Sequence, residues 1–334
     1  MKVALYGVGE MGAGVARLLA QRGIPIVAAI ARSPEKDGRD LGELIGLDEP
    51  LGVAVSNDAA GEFARTSPDV VVLTTNSYLS DHEPFLETAV RAGANAITIA
   101  EEASHPWRTS PDATRRLDAL AREHGVTIYG GGHEDAFWIG LGAQLIGVSH
   151  RVDAIRWESR WNPDTCGPEI LSSLGVGERP EQESVTVDWQ PEMPRPPFAL
   201  PALDGLADRL GLPDAPRTVT TEFVLAEEPV WSWALNRNIE PGEIIGLRDR
   251  VRREPQAEGE PLLEFAVSGI LKPGVDDSGE SWTVDGVPSL RMETEFSSGA
   301  YQVTGQVVNR LQDVIDAAPG WVKHSEMPAI SYRG

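Results

Sequence analysis

The feature that most limits what this chain can become is six residues long. Residues 7–12 read Gly-Val-Gly-Glu-Met-Gly, directly after the apolar run Val3–Tyr6 and directly before the helical spacing of Met11–Gln21. Gly7 permits a tight turn, Gly9 lets the backbone approach a ligand, and Gly12 lets the helix pack closely on the strand. A turn of this kind, with Glu10 and Met11 opening the helix, points free N–H groups and the positive end of a helix dipole at a pyrophosphate. The segment predicts the start of a dinucleotide-binding Rossmann domain.

The chain around it agrees. Ile24–Ile30, Val70–Thr75, Ala96–Ala100 and Val126–Tyr129 are apolar runs of strand length, with Val53–Val55 a weaker one. Asp81–Ala92 and Pro111–His124 carry apolar residues at helical spacing, and Asp81 and Ser110 are expected N-caps. Strands without polar alternation, joined by helices, make a doubly wound parallel sheet buried on both faces. Beyond residue 135 the character changes. Phe137–Val148 reads as an apolar helix, and Asp153–Trp161 alternates, with Ile155, Trp157, Ser159 and Trp161 on one face. Pro191–Pro201 reads as a loop, Thr218–Leu225, Leu262–Ile270 and Ser289–Phe296 as strands, and Gln302–Ala317 as a final helix. The fold class is therefore α/β: a Rossmann domain (1–135), an α+β domain on a mostly antiparallel sheet for substrate binding and dimerisation (136–303), and a helix and tail packing back on the first domain (304–334).

Composition narrows the partners. A net charge of −22, with an acidic excess in both halves, offers no basic face to nucleic acid or to an anionic membrane. No apolar stretch is long enough to span a bilayer, and the N-terminal run is too short for a signal peptide, so a cytoplasmic protein is expected. The single cysteine, Cys166, excludes an internal disulfide and a cysteine-based zinc site. His82, His124, His150 and His324 stand alone and are read as surface residues, so no metal is expected.

The second strand ends Ala29-Ile30-Ala31-Arg32-Ser33, with no acidic side chain to accept from a ribose 2′-OH. Arg32 and Ser33, with Lys36 adding charge, suit a 2′-phosphate, so NADP(H) is expected over NAD(H). Thr74, Thr75 and Asn76 end the fourth strand, where an open α/β sheet binds its ligand. The next strand ends in Glu101-Glu102. Desolvation and mutual repulsion there raise the pKa of at least one carboxyl, which suits a general acid or base. Adjacent residues point to opposite faces, so one of the two reaches the substrate.

Four stretches carry a resemblance: GVGEMGAGVARLL (7–19), GRDLGELIGL (38–47), NAITIAEEASHPW (95–107) and VVNRLQDVIDAAPGW (307–321). With them the chain resembles the dihydrodipicolinate-reductase-like oxidoreductases that include 2,4-diaminopentanoate dehydrogenase and the native amine dehydrogenases. The resemblance implies a catalytic glutamate at the pair. Glu102 aligns with the catalytic lysine of related sugar-type oxidoreductases and is the first choice, with Glu101 in reserve. It also implies a homodimer through the second domain's sheet, and a small amine or carbonyl substrate with ammonia. The His-His and Lys motif of true dihydrodipicolinate reductases is absent, so that reaction is not assigned. Where the family carries G-x-G-x-N-P-G-F, this chain has Gly130-Gly131-Gly132-His133-Glu134-Asp135-Ala136-Phe137. His133, Glu134 and Phe137, with Trp161, are candidate pocket residues. Glu134 and Asp135 either form an acidic cluster in the pocket or supply charge to a helix N-terminus.

The leading expectation is an NADP-dependent amine dehydrogenase. Two alternatives stand beside it: an NADPH-dependent imine or carbonyl reductase without an ammonia step, and a non-catalytic NADP-sensing protein. Nine tryptophans, more than either Phe or Tyr, belong to the core or favour a bulky substrate.

Overall fold

A computed structural model describes residues 1–165, 167–191, 193, 195–272, 278–295 and 299–334; Cys166 and Phe296 lie outside them. In chain order the first elements are β1 (Val3–Tyr6), α1 (Glu10–Gln21), β2 (Ile26–Ile30), α2 (Leu41–Leu44), β3 (Val55–Ser56) and α3 (Ala59–Thr66). Then come β4 (Val70–Leu73), α4 (Leu79–Arg91), β5 (Asn95–Thr98), α5 (Pro111–His124) and β6 (Thr127–Gly130). A π-helical turn, Glu134–Gly140, precedes α6 (Leu141–Ile146), β7 (Arg151–Trp161), α7 (Pro168–Ser173), β8 (Ser184–Asp188) and α8 (Ala199–Arg209). The rest is β9 (Thr218–Leu225), β10 (Val230–Ser232), β11 (Arg237–Ile239), β12 (Ile244–Arg253), β13 (Leu262–Ile270), β14 (Gly279–Val287), β15 (Leu290–Glu295), α9 (Gly299–Asp316) and β16 (Gly320–Trp321).

Two compact units result, Met1–Gly140 with Gly299–Gly334, and Leu141–Ser298. In the first, a seven-stranded sheet of order β16-β6-β5-β4-β1-β2-β3 is parallel at every pairing. Both faces are covered. Val3, Leu5, Val70, Val72 and Ile97 pack under α1 and α9, while Ala4, Val71, Leu73, Ala96 and Ile128 pack under α3, α4 and α5. The continuous apolar runs follow from that double burial. Gly14 makes room for α9, because a Cβ there would lie 2.8 Å from the Thr304 Cγ2. Val307, Val308, Leu311 and Val314 of α9 are wholly or almost wholly buried, each contributing about 1.5–3 kcal/mol.

In the second unit a seven-stranded sheet runs β15-β14-β7-β13-β12-β9-β8, antiparallel except where β7 pairs with β13. Trp157, Phe265 and Trp282 meet on one face, with ring centroids 5.1–5.9 Å apart. Gly142 seats α6 on Trp282, whose ring would lie 2.4 Å from a Cβ. A second ladder of strands, β10–β11, places Trp231 and Trp233 edge to face; Trp233 is 71% exposed.

Three expectations of local structure are corrected. Helix α4 begins at Leu79, two residues before the expected cap Asp81, because its first N–H finds a carboxylate from another loop. The Pro191–Pro201 stretch ends inside α8, where Pro201 falls among the first-turn residues whose N–H groups need no helical partner. Phe137–Val148 is a π-helical turn followed by a short α-helix rather than one helix. Among the described residues no helix is long and apolar enough to cross a membrane, and no group of three or more His, Cys, Asp and Glu side chains could hold a metal.

Candidate active site

The parallel sheet delivers five strand ends, those of β1, β2, β4, β5 and β6, to one edge, and each brings a piece of chemistry. At the end of β1, Gly7 has φ +111°, and a Cβ there would lie 2.8 Å from the Thr74 Oγ1. A Cβ on Gly12 would lie 2.1 Å from the Gly7 carbonyl oxygen. Those two glycines are therefore forced by the turn itself. Gly9 differs: it has nothing within 4 Å of its Cβ position, so the loop is open where a ligand would approach. Its position as the N-cap of α1, with no side-chain cap, leaves the first N–H groups of that helix to other acceptors. The Thr74 hydroxyl donates to the Gly7 carbonyl at 3.1 Å and ties the ends of β1 and β4 together.

At the end of β2, Arg32 is exposed, with its guanidinium carbon 5.5 Å from the centroid of Phe85. Ser33 precedes a single turn, Pro34–Lys36, and makes no capping bond. Lys36 turns back instead, donating from Nζ to the Val8 carbonyl at 2.6 Å. It thereby braces the glycine loop.

The glutamate pair lies in a 3₁₀ turn, Glu101–Ser104, just beyond β5. Its members are held differently. Glu102 is 4% exposed; one oxygen accepts from the Leu79 N–H at 2.7 Å and the other from the Ser110 hydroxyl at 2.6 Å. Ser110 does occupy the N-cap position of α5, but its hydroxyl serves Glu102 rather than the helix. Glu102 is thus a tertiary cap for α4. Glu101 is half-buried, and burial pushes its carboxyl above the usual value against hydrogen bonds from its own N–H and from the Ser77 side chain.

Between β4 and β5 sits His82, which is wholly buried and not, as its isolation in the sequence suggested, on the surface. Burial lowers its pKa to about 4, so the ring is neutral at physiological pH. It was discoverable: Leu79, His82, Leu86, Ala89 and Val90 are the buried stripe of α4, and the histidine occupies a core position.

At the end of β6, Gly130 and the Glu101–Ser104 turn are in contact, since a Cβ on Gly130 would lie 2.0 Å from the Ala103 carbonyl oxygen. His133 stacks on Phe137, with centroids 4.9 Å apart and planes 11° apart. Glu134 is buried. Asp135 lies in the first turn of the π-helical segment, and its carboxylate is taken up by a buried network. It accepts from the Tyr129 hydroxyl at 2.7 Å, from Arg310 at 2.8 and 3.1 Å and from Gln306, and it pairs with His324 at 3.2 Å. Burial opposes the charge, but His324 and Arg310 outweigh it and hold the carboxyl well below the usual range. His324 is buried in this network, a second histidine wrongly expected at the surface. Trp161 lies in the second unit, half-buried, with its ring against Gly269.

No family model matches the chain. Among solved structures, the amine dehydrogenase from Mycobacterium smegmatis superposes with a TM-score of 0.88 at 38% identity, covering 100% of this chain and 97% of that one. The 2,4-diaminopentanoate dehydrogenase of Acetoanaerobium sticklandii is 25% identical over 346 residues, spanning 98% of this chain and 93% of that protein. The amine dehydrogenase of Streptomyces virginiae is 24% identical over 360 residues, spanning 98% and 96%.

Proposed function

The chain belongs to the amine dehydrogenase family, and from that premise we propose that it interconverts a primary amine with a carbonyl compound and ammonia, using NADP(H) in preference to NAD(H). The observation that carries the chemistry is the asymmetry of the glutamate pair. A carboxylate already engaged at both oxygens, as Glu102 is, has little left for a substrate. Glu101, whose carboxyl burial pushes above its ordinary value, is the member of the pair suited to exchange a proton. Glu101 is therefore the acid–base group, and Glu102, the first choice from sequence, holds the helix that frames it.

The loop fits a nicotinamide dinucleotide: Gly9 leaves the space, α1 offers its N-terminus, and Thr74, Thr75 and Asn76 line the neighbouring strand end. When bound, that cofactor exchanges hydride with the substrate carbon. The protein's part is proton management. In the aminating direction Glu101, as carboxylate, takes a proton from the adding ammonia. It returns that proton to the carbonyl oxygen, giving the carbinolamine, and then passes a second proton, taken up from solvent, to the hydroxyl as water leaves. As carboxylate again, it stabilises the iminium carbon electrostatically.

Support for NADP(H) is the absence of an acidic residue at the end of β2 and the exposed Arg32 beside Ser33. Arg32→Ala should raise the KM for NADPH by about tenfold, the equivalent of one charge-assisted contact, while the KM for NADH stays within error. A dimer through the second unit's sheet is supported by the charged face opposite the α8 side. There Glu158, Arg248, Glu222, Arg250 and Glu264 interlock while each keeps 18–34% of its side chain exposed. Sedimentation of a monomer at micromolar concentration would remove that part.

The test of function is NADPH oxidation across a panel of aldehydes and ketones, with and without ammonium. Ammonium-dependent turnover is expected. Turnover that ignores ammonium would instead identify a carbonyl or imine reductase, and NADPH binding without any turnover would identify a sensor.

A further inference from the structure

His82 takes no part in the chemistry above, yet the strand ends that carry it meet on its ring. Nε2 bonds the Asn76 backbone, 2.8 Å from its nitrogen and 2.7 Å from its carbonyl oxygen, and the tautomer decides which of the two is its partner. Nδ1 bonds the Thr98 hydroxyl at 3.1 Å, and the same oxygen accepts from the Ala100 N–H at 3.1 Å. The Thr75 hydroxyl lies 3.1 Å from Nε2. Each arm ends one residue short of the acid–base pair. Asn76 precedes Ser77, whose side chain bonds Glu101 and whose carbonyl accepts from the Glu102 N–H at 3.3 Å. Ala100 directly precedes Glu101.

The imidazole is thus a crosspiece between two adjacent parallel strands at the point where they part. An apolar residue would fill the same stripe of α4 without the cost of burying a polar ring. The charges that face the ring are Asp81 on its own helix and Arg32 from the end of β2.

We propose that His82 is a positioning residue for the Glu101 carboxylate, acting through Asn76–Ser77 on one side and Thr98–Ala100 on the other; this rests on Glu101 being the acid–base group. Two substitutions separate the arms. In His82→Gln the amide reaches the Nε2 position and can still bond the Asn76 backbone. In His82→Asn it reaches only the Nδ1 position, beside Thr98.

The assay is ammonium-dependent NADPH oxidation with the best carbonyl of the panel, alongside NADPH binding by nicotinamide fluorescence and a thermal melt. His82→Asn should lower kcat by about 100-fold, the scale of a misplaced catalytic group, with KM for the carbonyl little changed. His82→Gln should recover about tenfold of that loss. The limb of the kcat–pH profile belonging to Glu101 should move to higher pH in His82→Asn, because the Ser77 hydrogen bond that favours the carboxylate is loosened. In a Glu101→Gln background His82→Asn should cost nothing further.

The proposal is overturned if the Asn and Gln variants lose kcat alike, or if the pH limb stays still. It also falls if His82→Asn costs as much with Glu101 already removed. A wild-type kcat in His82→Asn beside an impaired Glu101→Gln defeats the positioning role alone. An unimpaired Glu101→Gln defeats the reading of Glu101 and the proposal with it.

Discussion

Two buried polar networks of the first unit lie at neighbouring strand ends, and they treat a carboxylate in opposite ways. At the end of β6, Asp135 faces Arg310 and His324, with Tyr129 and Gln306 completing its shell. Its charge is matched by guanidinium, and it titrates far below neutrality. At the end of β5, Glu101 and Glu102 are held by hydroxyls and backbone N–H groups. Dipoles fix a carboxylate's place without compensating its charge, so burial still raises the pKa of Glu101. The first arrangement builds a joint; the second is the one proposed above to carry a proton.

The strongest way to break this contrast is Glu101→Gln. Turnover should fall by about 10²–10⁴-fold while NADPH binding persists, as read by steady-state rates and fluorescence titration. Next is Asp135→Asn, which takes from the buried Arg310 one of its two carboxylate partners and should destabilise the protein by about 3 kcal/mol in urea unfolding. Arg310 also holds Asp313 and the Pro328 carbonyl, so protease sensitivity of residues 322–334 should rise with it. Glu102→Gln comes third. Losing the anionic acceptor at the start of α4 should cost about 1–2 kcal/mol, seen as a lower melting temperature.

The smallest effect concerns pH, and its sign differs between the networks. The depressed pKa of Asp135 gives stability that is present above the ordinary carboxylate value and lost as pH falls below it. For Glu101 the folded pKa is raised, so stability declines as pH rises from the ordinary value through the raised one. Glu101→Gln should therefore raise stability by about 1 kcal/mol at neutral pH, on the scale of an activity–stability trade-off, and not at pH 4. His82, with its pKa lowered to about 4 from 6.5, withdraws stability as pH falls across that window. Equal urea midpoints for wild type and Glu101→Gln at pH 7.5 would contradict the assignment.

Much of the parallel sheet was legible because β1 and β4 are buried on both faces and carry no polar residues. The second sheet was harder, for a physical reason. The inner face of β12 carries Leu247, Asp249, Val251 and Arg253, and two charges on four positions erase the period-2 signal. Strand β14 does the same by burying Glu280 beside Trp282 and Val284. At the site, the glycine loop and the glutamate pair were visible as motifs. Asp81 was misassigned because a cap was sought in the local sequence, whereas α4 takes its cap from Glu102, 23 residues away; Ser110 stands at the N-cap of α5 as expected but gives its hydroxyl to Glu102. Asp135 reads as a helix-starting acid until Arg310 arrives from a helix 175 residues downstream. Long-range partners of that kind leave no spacing to read.

The parallel sheet of the first unit also sets a timetable for synthesis. Its seventh strand, Gly320–Trp321, pairs with β6, and α9 fills the groove over α1, so both arrive after the whole second unit has been made. A ribosome thus releases the complete second unit while the glycine loop's own domain still shows bare apolar surface. Loop closure across the intervening residues must precede that burial, which makes the first domain the later to finish and the more exposed to chaperones.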